Sequence, residues 1–319
     1  MWAPRLQSRT VPPSLTPDSR RAIIDIDIRN DLVIIRPPSE AESLLLPVTI
    51  GCSNNKCTFC STYKGIEFRI RSMAEIKADI DLTARNFGRS VRRVFLENGD
   101  ALICRQEMLV EIMEYLNKRF PNMERAGSYA TPQSLLRKTV ADLKALKDLK
   151  LVIVYLGVET GDEELLRSIK KGVTPAQTVE AGKKAKAAGI TLSVTIILGL
   201  AGDQGGAQHP LRTAEVITKI DPEFCGALTL MLEPGAPLHQ QWQQGEFTPA
   251  SPFQSLEELR QIIAHSDFTN CLFTSNHASN YLPLRLKLPQ QKEQGLKLLD
   301  NILATKDERS LKPEHLRAL

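Results

Sequence analysis

Long apolar runs are missing from this chain. The longest, at residues 151–156 and 194–200, fall far short of the roughly 20 residues that cross a bilayer, so no membrane association is expected. Residues 1–21 contain no apolar core of the kind that opens a secretory leader, which argues against export. A disulfide framework is also lacking. Three of the six cysteines crowd into nine residues, while Cys104, Cys225 and Cys271 are scattered and solitary; a secreted scaffold spreads its pairs. No internal repeat is visible, and low complexity is confined to the N-terminal arm. Net charge is only +4, too mild to imply a polyanionic partner. The short basic groups at Arg69 and Arg71, at Arg89, Arg92 and Arg93, and at Lys183, Lys184 and Lys186 read as solvated faces, so nucleic acid is not indicated. What remains is an ordinary globular composition, 42% hydrophobic and 24% charged, expected in the cytoplasm, with one clustered metal site.

Residues 1–20 carry four prolines and no hydrophobic period, and are expected to form an arm without fixed structure. From residue 44 the chain alternates apolar strands with capped helices. Strands are predicted at 44–49, 93–97, 125–129, 151–156, 191–198 and 226–232. Between them fall helices opened by a Ser72/Glu75 capping box, by Thr131-Pro132, by Asp162 and by Thr174-Pro175, with others over about 106–119 and 211–220. Strands separated by helices imply parallel pairing with right-handed crossovers, in an open doubly wound sheet or a curved partial barrel. The rhythm breaks after residue 235. There a helix from Ser255, an irregular stretch at 269–289 and a last helix near 291–303 are expected.

In parallel α/β folds the active site forms where strands end, and here every strand is followed by a polar or glycine-bearing loop. The first carries Cys52, Cys57 and Cys60 in a C-x4-C-x2-C arrangement. Soft thiolates suit iron–sulfur clusters and zinc. A structural zinc site wants four ligands, usually as two spaced pairs; only one C-x2-C occurs, and no fourth Cys or His follows nearby. Three ligands imply an open position, so a cluster is the expected occupant, with zinc or an unliganded group as the alternatives. The later loops hold Asn98-Gly99-Asp100, Ser128, Glu159, Gly199 and Gly202. Cys104, Cys225 and Cys271 read as buried small hydrophobes, and His209 and His239 as surface loop residues. Asn276, His277 and Asn280 form a denser polar group, either facing a substrate or packing a turn. Tyr63, Arg69 and Arg71 follow the cysteine loop closely enough to shield it.

The cysteine loop, with Phe59 before its last cysteine, resembles the cluster loop of the radical SAM superfamily, although C-x3-C-x2-C is the commoner spacing there. The whole chain is also similar to a bacterial group of stand-alone radical SAM proteins, some labelled after oxygen-independent coproporphyrinogen oxidase; that substrate is not adopted, because it rests on fold-level analogy. The resemblance implies an α/β fold: a partial (β/α)6 TIM-like barrel within residues 21–235, and a mostly helical C-terminal extension, 236–319, covering the barrel mouth. It implies a [4Fe-4S] cluster on Cys52, Cys57 and Cys60, with the fourth iron chelating S-adenosylmethionine (SAM). Around the SAM it implies Phe59, Asn98, Gly99, Asp100, Ser128, Glu159, Gly199 and Gly202. The implied reaction is reductive cleavage of SAM to a 5′-deoxyadenosyl radical that takes hydrogen from a substrate the sequence does not identify. The electron donor would be of the flavodoxin or ferredoxin type. Methyl or methylthio transfer on RNA or protein, and a non-catalytic metal- or cluster-binding interaction protein, are the competing readings.

Overall fold

The computed structural model describes residues 35–205 and 208–318; the expected N-terminal arm, residues 1–20, lies outside the described residues. Eight strands form one sheet in the order β1 (Leu44–Pro47), β4 (Arg93–Glu97), β5 (Arg125–Ala130), β6 (Leu151–Glu159), β7 (Thr191–Leu198), β8 (Phe224–Thr229), β9 (Cys271–Thr274), β10 (Arg285–Leu288). The first seven are parallel and β10 is antiparallel to β9. Consecutive strands are neighbours throughout and β1 and β10 are the two ends of the order, so the sheet is an open, partial barrel. A two-stranded ribbon, β2 (Thr49–Ile50) with β3 (Arg69–Ile70), brackets the cysteine loop. Among the described residues, no helix is long and apolar enough to cross a membrane.

Local chemistry accounts for most helix starts. Helices α1 (Met73–Phe87), α3 (Pro132–Leu136), α4 (Val140–Asp148), α6 (Pro175–Ala187) and α9 (Pro252–His265) all open with capping boxes, in which cap and third-residue side chains satisfy otherwise unpaired N–H groups. Helices α2 (Gln106–Arg119) and α7 (Gln208–Ile220) pack on the sheet's outer face, as does α9. Strand alternation sends Val94, Leu96, Val154, Leu156, Leu192, Val194 and Ile196 outward into this layer. It sends Leu45, Phe95 and Tyr155 inward, where Phe95 meets Tyr129 and Tyr155 edge-on at 5.0 and 5.8 Å. Beneath these rings the buried Glu40 accepts from Arg125 and from the Tyr155 hydroxyl, both at 2.6 Å. Cys104, Cys225 and Cys271 lie in the main core, as their solitary positions suggested.

Several expectations need correction. The stretch at 269–289 is not irregular, because β9 and β10 continue the sheet there. Each has only four residues, and the edge strand β10 alternates exposed Arg285 and Lys287 with buried Leu286 and Leu288. The C-terminal extension is therefore built partly onto the barrel. After the short helix α8 (Pro237–Gln243), its helix α9 is capped by Ser251, with Pro252 in the first turn; Ser255 lies one turn further in. His209 is not on the surface. It sits at the start of α7 and is 2% exposed.

The polar group after β9 divides. Asn276 is exposed, whereas Asn280 is buried. Its carboxamide accepts from the Thr229 hydroxyl at 2.9 Å and donates to the Ala227 carbonyl at 2.8 Å, tying the extension to β8. Replacing Asn280 with Ala leaves both β8 groups unpaired and is expected to destabilise the fold by about 1–3 kcal/mol, read from the midpoint of chemical denaturation.

Candidate metal centre and nucleoside site

The cysteine loop leaves the end of β2 at Gly51, whose φ of +75° is the left-handed conformation glycine adopts without strain. Several separate segments then hold it. The Gly99 N–H donates to the Gly51 carbonyl at 3.1 Å. The Asn54 amide donates to the Cys57 sulfur at 3.2 Å and to the Lys171 carbonyl at 3.1 Å. Thr58 joins two distant turns, donating through its N–H to Ile169 and accepting at its carbonyl from Leu238. Asn55 reaches the Tyr63 carbonyl at 2.7 Å, and the Ser61 hydroxyl donates to Glu233 at 2.5 Å. The three thiols are partly exposed and in no disulfide. Burial above all pushes the Cys57 thiol up; the Lys171 ammonium and the Asn54 amide oppose it, while Glu159 and Cys52 add to it.

The loop after β4 presses directly on this turn. A Cβ added at Gly99 would lie 2.5 Å from the Cys52 Cβ and 2.8 Å from its Cα. Beside it Asn98 is fully buried in the left-handed region, φ +74°, and neither polar atom of its carboxamide has a hydrogen-bond partner. Asp100 is also buried. It accepts from the Ser53 hydroxyl at 2.7 Å and the Thr131 hydroxyl at 2.9 Å, pinning the cysteine loop to the start of α3. Burial raises its pKa, against the hydroxyls of Ser53, Ser134 and Thr131, which lower it.

Glu159 ends β6 at a register shift, with φ +61°, and its side chain swings back over Gly157. There it pairs with the buried Lys171 at 2.5 Å. Sequence reasoning missed Lys171. The one available signal was its place in Lys170-Lys171-Gly172, directly after α5 (Glu163–Ser168) on the same loop face as Glu159. Phe59 packs on Leu166, Ile169, Ile197 and Leu200. Tyr63 is buried among Glu97, Cys52 and Cys60; desolvation first, then those neighbours, push its phenol up. Arg71 is buried and paired with Asp79 at 2.7 Å, whereas Arg69 is an exposed partner of Glu75.

Three expected residues stand differently. Ser128 shares a strand face with Ala126 and Ala130, which belong to the outer core. Its hydroxyl donates to the Tyr129 carbonyl at 2.8 Å, away from the concave side. Gly199 and Gly202 both have φ +71° and face the C-terminal segment: a Cβ on Gly202 would lie 2.6 Å from the Thr248 carbonyl. The Gly199 N–H donates to the buried Glu258 at 2.5 Å. Asn98, Gly99, Asp100 and Glu159 thus gather with Lys171 at the cysteines, while Gly199 and Gly202 form an adjoining wall.

The sequence profile of the Radical SAM superfamily matches residues 46–205, half of the chain and all of the loops just described up to the one after β7. The chain belongs to the radical SAM superfamily. Its fold is similar to that of methylornithine synthase PylB, with TM-score 0.50 and 17% identity over 78% of this chain and 68% of that one. It is also similar to coproporphyrinogen III oxidase HemN from Escherichia coli, a radical SAM enzyme, with TM-score 0.52 and 18% identity over 67% of this chain and 50% of that one. The radical SAM methyltransferase TsrM from Kitasatospora setae gives TM-score 0.50 at 17% identity, over 61% and 38%. This chain spans about half the length of HemN and less of TsrM, and at these identities the likeness concerns the fold. No curated protein matches the chain.

A [4Fe-4S] cluster and SAM are the cofactors of radical SAM proteins, and the residues present fit them. Soft thiols are the donor set for iron–sulfur clusters, the Gly99–Cys52 contact admits no side chain between the cysteine loop and the loop after β4, and Asn98 offers an unpaired carboxamide beside it. No group of three or more His, Cys, Asp or Glu side chains placed to hold a single metal ion occurs among the described residues.

Gly99→Ala is expected to displace Cys52, because the added methyl meets backbone as well as side chain. Iron bound after anaerobic reconstitution should fall well below the wild-type value. Gly226→Ala, whose Cβ would meet nothing nearer than 3.9 Å, should load iron normally.

Proposed function

We propose that this radical SAM protein is an enzyme that binds its [4Fe-4S] cluster through Cys52, Cys57 and Cys60 and cleaves SAM reductively to begin a radical reaction. The observation that carries the reading is Asn98, a buried carboxamide lacking hydrogen-bond partners and held in the left-handed region next to the Gly99–Cys52 contact. An unsatisfied buried amide is costly, and a ligand with an ammonium and a carboxylate answers both its acceptor and its donor. When bound, the reduced cluster supplies the electron that breaks a carbon–sulfur bond of SAM.

The chain's own residues bind, orient and shield. Asn98 would accept from the SAM ammonium through Oδ1, with Nδ2 free to donate. Lys171 holds an ammonium near the sulfurs of Cys57 and Cys52, which favours the thiolate at Cys57, while its partner Glu159 works against it. Asp100 acts through Ser53 and Thr131 to fix the loop, a positioning role rather than contact with SAM. Phe59 and the apolar cluster under it keep water from the loop's inner side. The C-terminal extension would cover the mouth, since residues 233–258 already touch both the cysteine loop and the loop after β7.

Anaerobically reconstituted protein should be brown, bind SAM, and release 5′-deoxyadenosine when reduced. Asn98→Ala should bind SAM roughly tenfold more weakly, with iron content unchanged. S-adenosylhomocysteine in place of 5′-deoxyadenosine would redirect the reading to methyl transfer. A colourless protein indifferent to SAM would end it.

A further inference from the structure

We infer that Glu258 and His209 are positioning residues for the nucleoside side of the site, locking the loops after β6 and β7 to each other and to the C-terminal segment. The inference rests on the SAM-binding reading above, because those two loops carry Glu159, Gly199 and Gly202.

The connection is buried, with hydrogen bonds on either side of one wider contact between His209 and Glu258. After β6, the Thr160 hydroxyl lies 2.8 Å from the Nδ1 of His209. The Gly161 N–H donates to Thr213, whose own hydroxyl donates to the His209 carbonyl at 2.6 Å. With Thr213 so engaged, the Thr160 hydroxyl proton is directed to Nδ1, and the ring proton falls on Nε2. That nitrogen forms no hydrogen bond and lies 3.6 Å from Glu258 Oε2, a buried polar contact wider than a hydrogen bond. The same oxygen accepts the Gly199 N–H at 2.5 Å. Thr160, His209 and Glu258 are 0%, 2% and 8% exposed. From the C-terminal side, the Thr248 carbonyl accepts the Asp203 N–H at 2.9 Å and Gln254 donates to the Asp203 carbonyl at 3.2 Å. The glycine loop is thus held by α9 and the segment before it, while His209, packed beside Glu258 at the start of α7, is bonded to the loop of Glu159 through Thr160.

Protonation acts on this brace. Burial raises the Glu258 carboxyl to about 7, opposed by the Gly199 N–H. Burial lowers His209 to about 4, with the Ile197 carbonyl and Asp162 acting against it, so the ring is neutral near pH 7. Among the other charged groups on α9 and the helices packed against it, three cations have partners away from Glu258. Arg212 pairs with Glu215 on α7, Arg260 pairs with Asp300 of α10 (Lys292–Thr305), and Lys292 donates to the Ser266 carbonyl. An ionised carboxylate accepts an N–H more strongly than a neutral carboxyl, so the glycine loop is held more firmly above pH 7 than below it. Folding runs the other way. Because the native state holds the Glu258 proton more tightly than the unfolded chain does, ionising it removes stability as pH rises from about 4.5 through 7.

The test uses full-length, anaerobically reconstituted protein, with SAM affinity measured by calorimetry from pH 6 to 8 and amide hydrogen exchange measured without SAM. Relative to Glu258→Gln, which keeps an acceptor but cannot ionise, the wild type should gain roughly fivefold in SAM affinity between pH 6 and 8, while its relative stability declines over the same range. Titration of SAM itself is common to both proteins. Glu258→Leu should bind SAM about tenfold more weakly, and its amides at residues 199–202 should exchange faster. A Leu variant with wild-type affinity and exchange, or a Gln variant that keeps the wild-type pH dependence, would overturn the inference. Failure of the wild type to bind SAM at any pH would instead strike the reading beneath it, and the exchange arm would still report on the brace.

Discussion

Three thiols on one irregular loop have no ladder of backbone hydrogen bonds to hold them, so their arrangement depends on what the loop is pressed against. In this chain that support is Gly99. With no side chain at this position, the loop after β4 meets Cys52 directly, and the Gly99 N–H closes on the Gly51 carbonyl. The remaining restraints sit around that contact. Asp100 carries it to α3 through two hydroxyls, Asn54 carries it to the turn at Lys171, and Thr58 carries it to the C-terminal segment at Leu238. A soft-ligand site is thereby placed at the C-terminal edge of a parallel sheet, where the strands of such folds deliver their functional loops.

Charge is handled at the same place. Burial disfavours a thiolate at Cys57, and Lys171 opposes that penalty from within an ion pair with Glu159. A buried pair of this kind is a weak source of stability, since desolvation offsets its attraction. Its position beside the cysteines, reached through a register shift and a left-handed Glu159, is better explained by the site than by the fold. The C-terminal segment has a second part in this arrangement: it extends the sheet with β9 and β10 and closes on the glycine loop with Glu258, so it belongs to the barrel's architecture and to its mouth.

Much of the barrel was legible along the chain. Capping boxes at Ser72, Thr131 and Thr174, and apolar runs of strand length, depend on neighbours three or four residues away. The cysteine loop was legible for the same reason, because its three cysteines lie within nine residues. Strands β9 and β10 were not, being four residues each and stabilised by their place beside β8. The start of α9 was misplaced because Ser255-Leu256-Glu257-Glu258 imitates a cap pattern, while the true cap, Ser251, precedes Pro252. Ser128 looked like a site residue until strand parity turned it toward the helices. For Asn280 the sequence left a substrate contact and a packed turn both open, and its carboxamide is spent on β8.

By itself, the sequence determined which strands are followed by polar or glycine-bearing loops and which ligand type the first of them offers, because residue type and short spacing are local properties. Tertiary structure decided which side chains on those loops converge. Glu159 finds Lys171 only across a bulge, Gly99 finds Cys52 from 47 positions along the chain, and Glu258 reaches Gly199 from 59. No local pattern encodes such partners. They are set by strand register, by which face each side chain takes, and by the glycines that let backbones touch.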